Sequence, residues 1–344
     1  MRKLFTILTI TLIPLMLQSC IYEYPDCPPD AWRHLQISFD TSECPDANPE
    51  GMDLYLYPAD GSGKWTFRFT ELRGGEIDIP PGQYSLIAFN NDTYRTVVNY
   101  PDSYIRCSFS TPAGNVFEGL ESLTRAAIPG GPPDGEETVI RPPQPMWCAR
   151  IATVDVAEDG KVSVDGAEIP GNSYVDPYAP EGTEFHLPVI SVPLRQAYSK
   201  VTVDIEGVEN ITAISRLCAV MTGMAAGYHC SELSPVGEAA AIPFAINRPS
   251  PDADSLTASL LTFGKKDHSR QSWLILYVWL TDGHRFYYKF NVTQQIDEAP
   301  DPSDIHLRLG PITVPESIGG GESGGGGMDV GVDGWDYVII DMES

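Results

Sequence analysis

The chain has 344 residues, and 22 Lys and Arg stand against 47 Asp and Glu, a formal net charge of −25. A surface this acidic repels phosphate backbones and anionic headgroups, which argues against nucleic acid as a partner and against electrostatic docking on a membrane. Hydrophobic residues make up 42% of the chain, enough for a packed core, while 31 Gly and 30 Pro favour short elements joined by turns over long helices.

Residues 1–19 read as a secretory signal peptide: a basic start, Arg2-Lys3, then an apolar run from Leu4 to Leu17 that is short for a retained membrane helix. Leu17-Gln18-Ser19-Cys20 resembles a bacterial lipobox, which makes Cys20 the expected lipid attachment point after cleavage. Two or more acyl chains on one residue give stable membrane anchoring where a single chain is marginal. Loss of 1–19 removes Arg2 and Lys3 and no acid, so the mature charge becomes −27. Residues 20–30, rich in Pro and acid, form the lipidated tether.

Period-two alternation then begins. Leu35–Phe39, Met52–Tyr57, Trp65–Phe69, Glu76–Ile79 and Gln83–Phe89 are strands separated by turns such as Pro58-Ala59-Asp60-Gly61 and Pro80-Pro81-Gly82. Short strands at this spacing predict an N-terminal β-sandwich over 31–128. From Pro129 to Pro145, nine of seventeen residues are Pro or Gly, so no ladder can run through them; 129–146 is the expected linker.

A C-terminal sandwich is expected over 147–318. Ile151–Val156 and Val162–Asp165 flank Glu158-Asp159-Gly160-Lys161, and Trp273–Thr281 and His284–Val292 flank Asp282-Gly283. Asp-Gly between apolar arms predicts tight hairpins of the type I′ kind. Trp273–Leu280 is almost wholly apolar, as a central strand covered on both faces would be. Ser199–Ile205 is another strand, and 211–227, with several Gly, reads as an irregular one. After 318, seven Gly among residues 319–327 make a flexible link of about 15–18 Å reach. Residues 328–344 follow, with a β-forming run of Trp335, Tyr337, Val338, Ile339 and Ile340 that is the candidate strand-pairing segment. A strand on such a tether can pair with its own sheet or a neighbour's.

Six Cys remain besides Cys20: Cys27, Cys44, Cys107, Cys148, Cys218 and Cys230. Their fifteen pairings stay open, Cys27–Cys44 and Cys218–Cys230 being nearest in sequence. None has a metal-binding spacing, and the six His (34, 186, 229, 268, 284, 306) are dispersed. No nucleophile elbow or phosphate-cradling loop is present. No catalytic residue, metal or cofactor is therefore expected. The six Trp, at 32, 65, 147, 273, 279 and 335, are the residues through which a surface glycan-binding lipoprotein, the alternative reading, would stack sugars.

Several stretches carry a resemblance. Pro45-Asp46-Ala47-Asn48-Pro49-Glu50-Gly51-Met52 leads to Tyr55-Leu56-Tyr57-Pro58, and Pro80-Pro81-Gly82-Gln83-Tyr84 goes with Asn90-Asn91-Asp92-Thr93. Leu280-Thr281-Asp282-Gly283, Phe290-Asn291-Val292-Thr293-Gln294-Gln295-Ile296 and Val332-Asp333-Gly334-Trp335 complete the set. Together they resemble an uncharacterised family of Bacteroidetes lipoproteins similar to fimbrillin-like proteins and fimbrial anchors. That resemblance implies an all-β chain of two tandem Greek-key, transthyretin-like β-sandwiches at the outer membrane, on the cell surface or its periplasmic face. It also implies fimbrial subunits as partners, joined when a neighbour's strand completes a sheet. Shaft subunits of that kind are opened by an Arg-specific protease. Arg33, Arg68 and Arg73 lack the matching context, which favours an anchor or accessory, adhesin-like role.

Overall fold

Apolar alternation becomes strands whose buried positions are the apolar ones. β1 (Arg33–Asp40), for example, buries Leu35, Ile37 and Phe39 and turns the residues between them outward. The computed structural model describes residues 32–116, 137–174, 185–316 and 336–340, and within these the chain is almost wholly β.

After β1 come β2 (Met52–Pro58), β3 (Trp65–Phe69), β4 (Gly75–Ile79), β5 (Gly82–Asn90), β6 (Val97–Asn99), β7 (Ser108–Ser110) and β8 (Thr138–Val139). Then follow β9 (Trp147–Val156), β10 (Val162–Val164), β11 (Ala167–Ile169), β12 (Gly171–Tyr174), β13 (Phe185–Pro193) and β14 (Arg195–Gln196). A first sandwich sets the sheet β12-β13-β1-β4 against the sheet β11-β10-β9-β5-β2-β3. Leu35, Leu54, Leu86, Val154 and Val192 fill the space between them.

The second sandwich uses β15 (Ser199–Ile205), β16 (Val208–Glu209), β17 (Ile214–His229), β18 (Ser234–Phe244), β19 (Leu256–Thr262), β20 (Trp273–Leu280) and β21 (Arg285–Asn291). A single-turn helix α1 (Thr293–Asp297), β22 (Asp304–Leu309), β23 (Ile312–Thr313) and β24 (Asp336–Ile340) complete it. The sheet β19-β15-β22 faces the sheet β24-β21-β20-β17-β18-β8, with β7 and β6 added at the far end of β17. Val201, Val203, Leu276, Tyr288 and Leu307 lie in its core.

The sheets do not divide at 129–146, and the expected ranges 31–128 and 147–318 are corrected accordingly. β9 pairs antiparallel with β5 from Phe89↔Cys148 to Gly82↔Val156, and β13 pairs in parallel with β1 from Gln36↔Val189 to Asp40↔Pro193. The strands β9 to β14 thus complete the first sandwich. Conversely, β7 pairs with β17 and β8 with β18, so 108–110 and 138–139 belong to the second. Residues 140–146 of the Pro-rich stretch carry the chain back from the second sandwich to the first. Pro and Gly stop a ladder, but they do not say on which side of the stop the next strand will pair.

A third apolar cluster joins the two sandwiches: Tyr55, Phe89 and Cys148 from the first meet Phe109, Tyr228 and Phe263 from the second. Phe89 sits edge-on between Tyr55 and Phe109, with ring centroids 5.1 and 5.3 Å away.

Both Asp-Gly hairpins form, with three-residue loops in place of the expected type I′ turns. Gly283 N–H donates to Leu280 O and Leu280 N–H to His284 O, at 3.1 and 2.9 Å; Gly160 and Ala157 repeat the pattern with Lys161. Gly283 and Gly160 take φ of +91° and +84°, the positive-φ position that closes a type I turn with a bulge. β17 is a strand interrupted by register shifts between Met221 and Met224 and between Ala225 and Gly227. At Gly223, φ is +76° and a Cβ would lie 2.8 Å from Gln271 O, so a side chain is excluded there.

Candidate functional site

The candidate strand-pairing segment falls at one edge of the second sandwich. β21 alternates along Arg-Phe-Tyr-Tyr-Lys-Phe-Asn: Phe286, Tyr288 and Phe290 are buried, while Arg285, Tyr287, Lys289 and Asn291 are half-buried on the other face. Tyr288 is locked by its hydroxyl, which donates to Thr313 O at 3.0 Å, and burial pushes its phenol up to about 12. On the other face Lys289 Nζ stands 4.1 Å over the Trp273 ring, and the Tyr277 and Tyr287 rings lie 6.3 Å apart. β20 holds one side of β21, in register from Trp273↔Asn291 to Trp279↔Arg285. With β17 beyond it, β20 is the central strand its composition predicts.

The other side of β21 is taken by β24, in parallel, with Tyr337, Val338, Ile339 and Ile340 opposite Tyr287, Tyr288, Lys289 and Phe290. Trp335 and Cys20 lie outside the described residues. A sheet edge of this kind offers backbone N–H and C=O groups and no reactive side chain, so what it can do is hold a strand.

Cys218 and Cys230, one of the two pairs nearest in sequence, do not come together. Cys218 lies on the outer face of the β17-β20 sheet beside Val220 and Tyr277, where burial pushes its thiol up to about 12. Cys230 follows the far end of β17, twelve residues and roughly 40 Å of extended chain away, inside the apolar junction of the two sandwiches. Strand geometry separates what sequence distance suggested was close. Cys44 is buried in the first sandwich with Sγ donating to Leu194 O, and Cys27 is outside the described residues. Among the described residues no three His, Cys, Asp or Glu are grouped to hold a metal ion. None of their helices is long and apolar enough to cross a membrane.

The described Trp residues do not form an open platform. Trp147 is buried against Tyr198, Trp32 and Trp65 stack edge-on at 5.3 Å, Trp273 lies under Lys289, and Trp279 is half-buried. Among the described residues, the large apolar side chains that are exposed fall instead in one excursion between β5 and β7: Tyr94, Val97, Tyr100 and Ile105. Their spacing carries no period, and so nothing in the sequence marked them.

The residues that carried the family resemblance form structural knots. Asn90 receives Trp147 N–H on its Oδ1 at 2.8 Å and donates to Pro145 O at 3.1 Å, which ties β5 to the start of β9. Asn91 donates to Asp53 at 2.6 Å, Asp92 accepts from Glu50 N–H at 2.9 Å, and Arg68 closes on Asp53 at 2.8 Å. Gly51 is required beneath them, because a Cβ there would lie 2.6 Å from Asn91 Oδ1 and 3.0 Å from Phe69 O. Gln295 of α1 clamps β22 in the same manner, accepting from Arg308 N–H at 2.9 Å and donating to Arg308 O at 3.2 Å.

A family model described as "Domain of unknown function (DUF5119)" matches residues 19–245. Over 91 residues the chain is 31% identical to the "Putative fimbrium anchoring subunit Fim4B" of Bacteroides ovatus; that stretch is 26% of this chain and 27% of that relative's length. Among solved structures, a putative adhesin from Bacteroides ovatus superposes with a TM-score of 0.56 at 20% identity, covering 83% of this chain and 93% of that one. The fimbrial anchor protein Mfa2 from Porphyromonas gingivalis aligns with a TM-score of 0.45 at 14% identity, over 80% and 90% of the two chains.

Proposed function

The chain belongs to the DUF5119 family, and from that premise we propose that it is a non-enzymatic, lipid-anchored outer-membrane protein serving as a fimbrial anchor or adhesin-like accessory. In this reading Cys20 carries the acyl chains, and the terminal strand is the element through which the protein joins its partners, the fimbrial subunits. The stretch shared with a relative named as a fimbrium anchoring subunit supports the class of role.

The observation that carries the mechanism is the placement of β24: a strand of five residues, lying parallel at a sheet edge, at the end of a Gly-rich segment. Its backbone bonds to β21 are generic, each worth about 0.5–1.5 kcal/mol net, so another strand with suitable side chains can make the same ones. Release of β24 opens β21 to a subunit's strand and frees β24 for a subunit's sheet.

The test is deletion of residues 328–344, followed by co-purification of fimbrial subunits with the lipoprotein from outer membranes. Loss of the subunits with the first sandwich still folded is expected. Capture at the level of the full chain would refute the donor role, and recovery of an unacylated, freely secreted protein would refute the anchor.

A further inference from the structure

Three thiols from distant parts of the sequence meet in the junction between the sandwiches. Cys107 immediately precedes β7, Cys230 immediately follows β17, and Cys148 is the second residue of β9; all three are 0% exposed and belong to one apolar cluster. Any one of them alone would be a small buried hydrophobe. Their mutual placement sets them apart.

β7 and β17 are antiparallel, with Ser110 opposite Gly227, Phe109 opposite Tyr228 and Ser108 opposite His229. The next step of that register puts Cys107 opposite Cys230, and the ladder does continue: Cys230 N–H donates to Cys107 O at 2.9 Å. Directly opposed residues in an antiparallel pair have Cα atoms about 4.5–5.5 Å apart, inside the range of about 4.4–6.8 Å that a disulfide spans. The side chains lie close as well, the thiols of Cys107 and Cys148 both acting on that of Cys230. Cys148 reaches the pair from the other sandwich, through β9, and has no such ladder with either strand.

We propose that Cys107 and Cys230 form a disulfide when the chain folds in the presence of a disulfide oxidant, with Cys148 left as a thiol beside it. The Cys107 thiolate attacks a low-molecular-weight disulfide, which releases one thiol and leaves a mixed disulfide on Cys107. The Cys230 thiolate then attacks the Cys107 sulfur and expels the second thiol. Two protein thiols are oxidised, one external disulfide is reduced to two thiols, and the protons from Cys107 and Cys230 end on those thiols. Because the cluster is closed to solvent in the folded chain, the exchange belongs to the stage before the sandwiches dock. The bond would staple β7, and with it the exposed excursion that carries Tyr94, Tyr100 and Ile105, to β17.

The test uses the full chain, unfolded and reduced, then refolded with oxidised and reduced glutathione, alkylated under denaturing conditions and mapped by mass spectrometry without reduction. The expected result is one species in which the peptides of Cys107 and Cys230 are joined, two hydrogens lighter than their sum, with Cys148 and Cys218 alkylated. Full alkylation of Cys107 and Cys230, or a bond from either to Cys148, would overturn the proposal. A loop of about 120 residues closed this way should raise the thermal midpoint by roughly 5–15 °C over the reduced chain. The Cys107→Ser and Cys230→Ser chains should show no response of the midpoint to reductant. An undiminished response in those variants would also count against it.

Discussion

If the two sandwiches are one folding unit, Phe109 is the residue whose loss should show it. Its ring is 1% exposed, lies 5.3 Å edge-on from Phe89 of the first sandwich, and sits on β7 opposite Tyr228 of the second. Phe109→Ala removes the ring from a junction walled by strands of two separate sandwiches, which cannot close over the gap independently. Transfer and cavity terms together place the cost at about 3–5 kcal/mol, the upper part of the range for a core aromatic. Urea unfolding followed by tryptophan fluorescence reads both bodies, since Trp65 and Trp147 report on the first and Trp273 and Trp279 on the second. The unsubstituted chain should unfold in a single transition, and the variant should lose that 3–5 kcal/mol. A loss below about 1 kcal/mol, or two separated transitions in the unsubstituted chain, would refute the idea that this junction couples the sandwiches.

Other expectations follow from single contacts. Lys265, its side chain only 2% exposed, places Nζ 2.9 Å from both oxygens of Asp297; Lys265→Ala should cost about 3–5 kcal/mol in the same urea titration, because it strands a partly buried carboxylate. Burial pushes the Asp297 carboxyl up, but Lys265 and His268 outweigh it and hold it below the usual range, so the stability it adds is present at neutral pH and is lost as pH falls through that lowered value. Substitution of Lys265 should therefore flatten the acid limb of the pH–stability curve. Gly51→Ala should destabilise by about 1–3 kcal/mol by forcing a Cβ against Asn91 and the Phe69 carbonyl, and an unchanged urea midpoint would contradict the close approach. Burial lowers the His34 pKa, but Asp78 and Glu76, at 2.7 and 3.1 Å, raise it by more, for a net rise. Its contribution is present in full below the unfolded value of about 6.5 and is lost as pH climbs through the raised folded value; NMR titration should show Asp78→Asn bringing the midpoint back down.

How much of this was legible in the sequence depended on whether the signal was local. Strand identity is local: β1, β4, β5, β15 and the β20–β21 arms follow from alternation and from Gly at the turns, and even β17, full of Gly and Met, read as a strand. Partner choice is not local. Nothing in Cys148 to Val156 says that, besides its hairpin partner β10, it pairs with Gly82 to Phe89 across the Pro-rich crossing, and so the boundary between the sandwiches is not where the Pro-rich stretch suggests. The same reason hid the thiol cluster. Cys107, Cys148 and Cys230 are far apart in sequence and meet only because β7 leaves the first half of the chain to pair with β17. The family motifs were visible, but their work was not: Gly51, Asn90, Asn91 and Asp92 look like loop residues and in fact tie strand ends together with side-chain hydrogen bonds.

The terminal strand shows why a sequence of this kind announces no chemistry while still being able to bind. Fixing the backbone of each residue costs about 1–2 kcal/mol, while each backbone hydrogen bond returns only about 0.5–1.5 kcal/mol net. Five residues laid in parallel along β21 are therefore not held by hydrogen bonds alone. The backbone register sets Val338 and Ile340, both β-branched and apolar, opposite Tyr288 and Phe290, which belong to the core of the second sandwich. A competing strand needs only two apolar residues two apart, with β-branched or aromatic character, to match them. Competition between the chain's own strand and a partner's is then expected to follow the residue types at these two register positions, and Val338→Ala with Ile340→Ala should shift the balance toward the partner without changing the edge that receives it. Fluorescence anisotropy of a labelled peptide spanning 335–341 reads that balance directly: tighter binding to the doubly substituted chain than to the unsubstituted one is the expected result. Equal binding to both would mean that β24 does not guard the edge.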